Sequence, residues 1–500
     1  MQQFDIVVIG SGLGGLLSAV LLAKEGMHVA VIEQNKQVGG CLQTFSFDKK
    51  VFDSCVHYIG ALDEGQTQER IFKYAGISDS LNFKRLDVDG FDKIIFGEEQ
   101  TEYPQAQGLA NFREQLAPYF TNVADLKLYT NSLQEVGDSF PLYNLRNGSG
   151  IEKDKVSHWN MQRVMNQIND DKLLHVLTGN NLLYAGQEST TPFYVHGLVT
   201  KSYIDSAYKC EGRSSQIAKL LWRKLQEYGG VVYRNEKVNQ LIEEDGKISK
   251  AITENGNEYG AKNFIANVHP AMVLDWMDSK LIRPAYRKRI TTIENSISAF
   301  MVNIVLKPQT VTHKNHNIYW NKTADTYRAY NYQREGWPEN YALYFGEDSQ
   351  HQGFSDTVAI LTYMHATEFE QWQSTRNITA KPSEREIAYH QFKEERASKL
   401  ISVVAQRYPE LQEHIYSMKI ATPLTFRDYM GSPDGSMYGL MADVNNQAFT
   451  QVPVRTKVPN LLLTGQNIGL HGVLGVSINA IAACGELVGL DYLLNKINNS

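Results

Sequence analysis

The chain has 500 residues, 42% of them hydrophobic, so it can bury more than one core and is expected to form two domains. Its formal net charge is −6 and no basic block stands out, which argues against nucleic acid as a partner. The cysteines at positions 41, 55, 210 and 484 show neither zinc-site spacing nor a dense disulfide framework. We therefore expect no metal site and a cytoplasmic location.

Two apolar stretches need to be distinguished from membrane segments. Residues 6–23 are apolar, but no Lys or Arg precedes them and glycines interrupt them. Residues 465–494 are apolar as well, but polar side chains punctuate them. We expect no targeting segment at the start and a buried helix at the end.

The first strand and turn carry the strongest functional pattern. An apolar run over residues 4–9 predicts a buried strand, which stops at a G-x-G-x-x-G sequence formed by Gly10, Gly12 and Gly15. In such a turn Gly10 permits the tight bend and Gly12 lets the backbone approach a pyrophosphate. Gly15 lets the following helix pack closely on the strand. The helix N-terminus then offers free N–H groups to phosphates.

The residues after this turn complete a dinucleotide-binding pattern. Apolar positions between residues 13 and 21 have helical spacing, and Gly26 is placed to end the helix. A second strand over residues 27–32 leads to Glu33, where a carboxylate can accept hydrogen bonds from ribose hydroxyls and would repel a 2′-phosphate. Gly39 and Gly40 favour FAD over NAD, because an extended flavin dinucleotide must pass the loop after this strand.

Four residues beyond the glycine pair have open interpretations. His57 and Tyr58 follow this loop closely enough to lie near the ring of a cofactor, although a histidine held by backbone groups in a packed loop is the simpler structural alternative. Cys41 and Cys55 could attach a flavin covalently or act as redox thiols, whereas buried, inert cysteine is the commoner case.

The rest of the chain alternates between segments typical of a nucleotide-binding domain and segments of a different, inserted domain. Short strands around residues 238–266 predict a small meander that covers a parallel sheet. A strand at 460–463, followed by a glycine loop and an apolar helix, would bring a second set of backbone donors to the cofactor. The predicted fold is α/β, with a discontinuous nucleotide-binding domain and an inserted substrate-binding domain. The first covers residues 1–64, 205–275 and 455–500, and the second covers 65–204 and 276–454.

An aromatic cluster between residues 319 and 345 also has two interpretations. It could line a tunnel for a flat or elongated apolar molecule, or it could pack one face of a sheet. Its members are Tyr319, Trp320, Tyr327, Tyr330, Tyr332, Trp337, Tyr341, Tyr344 and Phe345.

Together these segments resemble the phytoene desaturase superfamily of FAD-dependent oxidoreductases, within the amine oxidase-like fold, and most of all its retinol saturase and carotenoid isomerase branch. The resemblance spans nearly the whole chain. It rests on Gly39-Gly40-Cys41 with Thr44-Phe45, Phe52-Asp53 with His57-Tyr58-Ile59-Gly60, Thr422-Pro423-Leu424-Thr425, Tyr429 with Gly435, Tyr438 and Gly439, and Leu463-Thr464-Gly465-Gln466 with Gly472-Val473 and Gly475.

The resemblance implies a glutathione reductase-type, Rossmann-like FAD domain with an inserted α+β substrate domain. Gly12, Gly14, Glu33, Gln34 and Gly40 would hold the ADP part, the Val238 backbone would contact the adenine, and the C-terminal loop would approach the ribityl chain and the ring. The full expected set is Gly10, Ser11, Gly12, Leu13, Gly14, Gly15, Glu33, Gln34, Gly39, Gly40, Val238, Gly465, Gln466, Asn467, Val473 and Leu474.

Two positions depart from the family pattern. Family members usually carry an acidic residue in the C-terminal loop, where this chain has the neutral pair Gln466-Asn467. A glycine pair is common before the central helix, where this chain has Gly212-Arg213. Both the ribityl contacts and the loop before that helix are therefore expected to differ in detail.

The implied activity is reduction or oxidation of carbon–carbon double bonds in an apolar polyene or isoprenoid of retinoid or carotenoid type, by hydride transfer at flavin N5. The candidate catalytic residues are His57 and Tyr58, either of which could deliver the proton. Saturase or desaturase activity ranks above redox-neutral cis–trans isomerisation, and flavin amine oxidation ranks third. A non-catalytic prenyl-binding protein of the Rab GDP-dissociation inhibitor type shares the fold, but the intact glycine turn and Glu33 disfavour it.

The expected partners follow from this chemistry. An insoluble substrate predicts transient peripheral contact with a membrane surface, although no amphipathic anchor stands out. NAD(P)H is one candidate electron source, but only one dinucleotide motif is visible, so a nicotinamide would have to bind without a second fingerprint. The oligomeric state does not follow from the sequence.

Overall fold

The computed structural model describes residues 2–379 and 382–500, so residues 1, 380 and 381 of the predicted domains lie outside the described residues. The strands, in chain order, are β1 Gln2–Ile9, β2 Val29–Glu33, β3 Thr44–Phe47, β4 Lys50–Asp53, β5 Ile59–Gly60, β6 Phe83–Arg85, β7 Asp92–Phe96, β8 Tyr103–Gln105, β9 Ala207–Cys210, β10 Val231–Arg234, β11 Val238–Glu244, β12 Lys247–Thr253, β13 Glu258–Ala266, β14 Ser298–Leu306, β15 Asn317–Asn321, β16 Asn340–Glu347, β17 Ser355–Met364, β18 Ile415–Ala421 and β19 Leu461–Leu463.

The α-helices lie between these strands and on their faces. In chain order they are α1 Leu13–Lys24, α2 Thr67–Tyr74, α3 Leu109–Leu116, α4 Val123–Ser139, α5 Gly150–Ser157, α6 Met161–Met165, α7 Asp171–Leu177, α8 Phe193–Asp205, α9 Ser215–Glu227, α10 Pro270–Asp275, α11 Pro284–Thr291, α12 Ile387–Ala405, α13 Pro409–Glu413, α14 Pro423–Met430, α15 Gln447–Thr450, α16 Gly472–Val488 and α17 Leu490–Asn498. Among the described helices, none combines the length and the hydropathy needed to cross a bilayer.

The first sheet is the α/β core that the sequence predicts. Its strands run in the order β10, β2, β1 and β13, with β19 beside β13, and all of these neighbours are parallel. β2 is buried along its whole length, as expected for a parallel strand covered on both faces. α1 packs against α9 and α16. Because parallel strands end at one edge of a sheet, the loops after β1, β2, β13 and β19 converge there.

The meander over residues 238–266 forms, but the expectation that it covers the sheet is wrong, because it extends the sheet. β13 pairs with β1 along one edge and divides its other edge between β12, around Gly260, and β19, from Phe264 onwards. At nine residues, β13 is long enough to carry both partners. The buried Asn460 side chain joins them by donating to the carbonyls of Ile248 and Lys262 at 2.8 and 3.0 Å.

The second sheet is mostly antiparallel, in the order β18, β14, β17, β16, β15, β7 and β8, with one parallel pair between β15 and β7. β14 and β17 are buried along their whole length, so both faces of the central strands are covered. β7 and β8 come from residues 65–204, and the other strands come from residues 276–454. This shared sheet supports the proposal that the two segments form one substrate domain.

Candidate functional site

One cavity lies at the carboxyl edge of the first sheet and extends to the second sheet. The turn after β1 and the loops after β2, β13 and β19 line one end, and residues of α8, β16 and β17 line the other. Every predicted cofactor-binding residue lines this cavity except Gly15. His57 and Tyr58, the predicted catalytic residues, line it as well. Their roles as ligands and catalysts stay predictions, but the fold brings all of them except Gly15 onto one wall.

The turn after β1 depends on glycine at two positions. Gly10 adopts a φ of +94°, which L side chains rarely do, and this bend sends the chain from β1 into α1. A Cβ on Gly15 would lie 2.0 Å from the carbonyl oxygen of Gly10. Gly15 therefore lies beneath the turn and away from the cavity. Because it has no side chain, α1 can pack closely on the turn.

Two neighbouring loops pass so close to this turn that an added side chain would meet backbone atoms. A Cβ on Gly40 would lie 3.0 Å from the Cα of Gly12, and a Cβ on Gly14 would lie 3.2 Å from the backbone nitrogen of Gly465. Side chains at these positions would push apart the first turn, the loop after β2 and the loop after β19. The absence of side chains leaves backbone N–H groups and the N-terminus of α1 facing the cavity, which suits an anion such as a pyrophosphate.

Glu33 fixes the turn from the end of β2. Its Oε2 accepts hydrogen bonds from the backbone nitrogen and the hydroxyl of Ser11 at 2.9 and 2.6 Å, and its Oε1 accepts one from the backbone nitrogen of Asn35 at 2.7 Å. Burial raises the pKa of Glu33, and these donors act in the opposite direction. The carboxylate therefore positions the turn from the wall of the cavity.

Asn267 is a site residue that the sequence analysis missed. It follows β13 directly, and its backbone nitrogen donates to the carbonyl of Ile9 at 2.8 Å. Its side chain fills the space between Gly12, Gly14 and Gly465, since a Cβ on each glycine would lie 2.8 Å or less from an Asn267 amide atom. The only sequence signal is its place after a strand, which would have been useful had β13 been recognised as the parallel neighbour of β1.

The C-terminal loop is held by side chains of its own segment. The Nδ2 of Asn479, in α16, donates to the carbonyls of Gly465 and Leu470 at 3.0 and 2.8 Å. The Oδ1 of Asn467 accepts a hydrogen bond from the backbone nitrogen of Leu440 at 3.1 Å. At the first of the two expected departures, the neutral Asn467 therefore fastens the loop to the backbone of Leu440.

Arg213, at the second departure from the family pattern, has a φ of +76°. This is the left-handed conformation that glycine adopts without strain. The loop keeps its neighbours in place through Asp53, whose Oδ1 accepts hydrogen bonds from the backbone nitrogen and the hydroxyl of Ser214 at 2.7 and 2.6 Å. The Gly212-Arg213 sequence therefore forms this bend with only one glycine.

Apolar and aromatic side chains line the end of the cavity that faces the second sheet. The His57 ring stacks on Tyr344 with centroids 4.1 Å apart, and the Tyr438 ring packs on His471 at 4.5 Å. Of the nine aromatic residues between 319 and 345, Tyr344 lines the cavity and the other eight do not. The other lining residues here are Leu183, Leu198, Val199, Tyr203, Leu361 and Met437.

Three buried polar atoms on the cavity wall lack a hydrogen-bond partner within the described part of the chain. They are the Nε2 of His57, the Nε2 of His471 and the Oγ1 of Thr464. Unsatisfied buried groups cost free energy, so their convergence on one cavity indicates a ligand with polar edges. Burial lowers the pKa of His57 to about 3 and that of His471 to about 4, so both rings are neutral near pH 7. FAD fits this wall, because its pyrophosphate suits the glycine turn and its ring carries polar atoms along a flat apolar body.

Tyr58 belongs to a buried hydrogen-bond network that returns to the cavity wall at Tyr344. Its hydroxyl donates to the Oδ2 of Asp92 at 2.8 Å and lies 2.8 Å from the hydroxyl of Tyr319. Tyr319 continues the network to the hydroxyl of Tyr344 at 3.1 Å, and the Nδ2 of Asn317 donates to the Oδ1 of Asp92 at 2.9 Å. Burial raises the pKa of Asp92 to about 7. Asp92, another residue missed from sequence, can therefore hold a proton one hydrogen bond from Tyr58 near neutral pH.

Comparisons with known proteins agree with this arrangement. The family model described as an NAD(P)-binding Rossmann-like domain matches residues 8–75. The chain is similar to the all-trans-retinol 13,14-reductase of Rattus norvegicus, with 26% identity over 96% of this chain and 85% of that protein. It is also similar to the chloroplastic prolycopene isomerase of Daucus carota, with 23% identity over 99% of this chain and 81% of that protein.

Among solved structures, the cyclohexylamine oxidase of Brevibacterium oxydans superposes with a TM-score of 0.61. The two chains are 12% identical, and the match covers 97% of this chain and 99% of the oxidase. At this identity the match concerns the fold. It confirms the predicted amine oxidase-like architecture.

The raised pKa of Asp92 predicts how stability depends on pH. The folded-state pKa of about 7 lies above the ordinary value of 3.8, so the folded chain holds an extra proton between these values and stability falls as the pH rises through that window. Relative to Asp92→Asn, the wild type should lose about 1 kcal/mol of unfolding free energy per pH unit between pH 5 and pH 7. Urea unfolding at each pH measures this.

The matched control is Asp89→Asn, which changes an exposed carboxylate three residues earlier in the chain. Its stability should follow that of the wild type across the pH series. Parallel curves for wild type and Asp92→Asn would contradict the assignment of a protonated Asp92.

Proposed function

We propose that this chain, which belongs to the retinol saturase and phytoene desaturase superfamily of FAD-dependent oxidoreductases, reduces carbon–carbon double bonds of an apolar polyene. The observation that carries the proposal is the two-part cavity. Glycine loops and backbone donors form one end, and aromatic and aliphatic side chains form the other. A dinucleotide and an elongated apolar molecule can therefore meet within one cavity.

The residues that would hold FAD follow from the wall of the cavity. Gly12, Gly14 and Gly40 would present backbone to the pyrophosphate, Glu33 would accept from the ribose, and Gly465 with its neighbours would face the ribityl chain. FAD, when bound, supplies or accepts hydride at N5. The protein's contribution is to hold the polyene in place, to exclude water through the aromatic wall, and to deliver a proton to the adjacent carbon.

His57 and Tyr58 would have different tasks in this reaction. The neutral His57 ring is fixed by its stacking on Tyr344, and its unpaired Nε2 suits a hydrogen bond to a bound molecule. Burial raises the pKa of Tyr58 well above its usual range, so it would pass on a proton only while Asp92 replaces it through their hydrogen bond. In this proposal His57 positions the ligand, Tyr58 transfers the proton, and Asp92 stores it.

Several relatives are named all-trans-retinol 13,14-reductase. These names favour reduction over desaturation as the reaction that we propose for this chain. The substrate class we propose is a retinoid or carotenoid-type polyene. Such a molecule has to leave a lipid phase, so peripheral contact with a membrane surface is part of the proposal. An electron donor is required as well, since each reduced double bond consumes two electrons.

Product mass tests the proposed reaction. Holoprotein whose flavin has been reduced chemically under anaerobic conditions, incubated with all-trans-retinol and separately with a carotenoid precursor, should give a product heavier by two hydrogens. Oxidised holoprotein is the control and should leave the polyene unchanged. An unchanged mass with a shifted retention time would indicate an isomerase, and loss of two hydrogens with oxidised flavin would indicate a desaturase.

Variants of the two candidate residues test the division of roles. Under single-turnover conditions with reduced flavin, Tyr58→Phe should slow product formation by at least about 100-fold, because general acid catalysis contributes on that scale. His57→Gln should weaken polyene or flavin binding more than it slows turnover. The matched control is Tyr203→Phe, since Tyr203 lines the cavity and its ring lies 4.4 Å from that of Tyr58. Wild-type rates and affinities in both His57→Gln and Tyr58→Phe, with flavin bound, would show that the assignment is wrong.

A further inference from the structure

Two of the four cysteines meet on the wall of the cavity. Cys41 and Cys55 both line it and are partly exposed, whereas Cys210 and Cys484 are not among its lining residues. The hairpin of β3 and β4 brings them together, because Thr44 pairs with Asp53 and the backbone nitrogen of Ser54 donates to the carbonyl of Gln43 at 3.1 Å. Residues 41–43 therefore lie alongside residues 54–56.

The two thiols lie close enough to interact and differ in character. Their interaction lowers the pKa of Cys41 and raises that of Cys55 well above its usual range. The carboxylate of Asp53 acts in the same direction on Cys55. One thiol of the pair is therefore the readier nucleophile and the other stays protonated, which is the arrangement of a reactive dithiol.

The position of the pair relates it to the cofactor site. Cys41 directly follows Gly40, which lies against Gly12 in the dinucleotide turn. Burial raises the pKa of Tyr438 and both nearby thiols add to the shift, and the Tyr438 ring packs on His471, the residue before α16. The dithiol thus lies between the glycine turn and the C-terminal loop, the two segments that would hold the cofactor.

We propose that Cys41 and Cys55 form a redox-active dithiol that delivers electrons to the bound flavin. This inference rests on the proposed function, which requires two electrons for each double bond. In the step, the two thiols give up two electrons and two protons and form one S–S bond, while oxidised FAD takes up both electrons and both protons and becomes reduced FAD. An external dithiol, small or carried on a protein, then exchanges with the disulfide and restores both thiols.

The test begins with oxidised holoprotein under anaerobic conditions, to which dithiothreitol is added as the external dithiol. The flavin absorbance of the wild type should bleach, and Cys41→Ser and Cys55→Ser should each bleach at least about 100-fold more slowly, because thiol exchange needs both sulfurs. Cys210→Ser is the matched control and should bleach at the wild-type rate. Equal rates in all four proteins would overturn the proposal.

A second measurement does not depend on the folding of a variant. Wild-type holoprotein with both thiols reduced and the external dithiol removed is incubated anaerobically, alkylated and digested without reductant. Mass spectrometry should show a Cys41–Cys55 linked peptide, two hydrogens lighter than the separate peptides, in proportion to the flavin that became reduced. Complete alkylation of both cysteines beside fully oxidised flavin, or a flavin mass attached to either cysteine, would overturn the proposal.

The failure of this inference can be told from the failure of the proposed function. Flavin reduced by dithionite bypasses the thiols, so wild-type protein reduced in that way still tests whether the polyene gains two hydrogens. A linked peptide without polyene reduction would keep the dithiol and reject the reaction. Polyene reduction without a linked peptide would keep the reaction and reject the dithiol.

Discussion

The structure depends on one constraint, which is that four loops meet at backbone distance where the parallel strands end. The turn after β1, the loop after β2 and the loop after β19 approach one another at positions where no Cβ fits, and Asn267 fills the space between them. A side chain at Gly10, Gly14, Gly15 or Gly40 would meet a backbone atom at 3.2 Å or less. Backbone donors are thereby collected at the edge of the sheet where dinucleotides bind in open α/β folds.

Side chains from distant parts of the chain maintain this meeting point. Glu33 ties the end of β2 to Ser11, Asn479 ties α16 to Gly465, and Asn460 ties β19 to the meander. All three are buried polar side chains, which are costly to bury without hydrogen-bond partners. Each finds its partners in the turn, in the loop or in a neighbouring strand, so each joins specific segments. The site is therefore built by long-range hydrogen bonds on top of a local glycine pattern.

The parts that were predictable from sequence are those with local signals. The glycine spacing, the helical periodicity after it and the acid at the end of β2 identified the turn, α1 and Glu33, because each depends on neighbours a few residues away. The meander was predicted to cover the sheet, whereas it extends the sheet. A nine-residue strand such as β13 can pair parallel with one neighbour and antiparallel with another, and the spacing of its apolar residues does not show which pairing occurs. Asn267 was marked only by its place after a strand, and Asp92 and the proximity of Cys41 to Cys55 had no local signal, since each acquires its partners only when separate segments fold together. The departures at Asn467 and Arg213 were visible, but their consequences came from the structure.

The most direct test of this account is the identity and amount of the cofactor. Protein purified under mild conditions should be yellow, and its denatured supernatant should contain FAD at one molecule per chain by mass spectrometry. This stoichiometry is expected because, in the described part of the chain, one glycine turn and one C-terminal loop form a single site. FMN, a nicotinamide dinucleotide or no bound nucleotide, even after incubation of the folded protein with FAD, would contradict it.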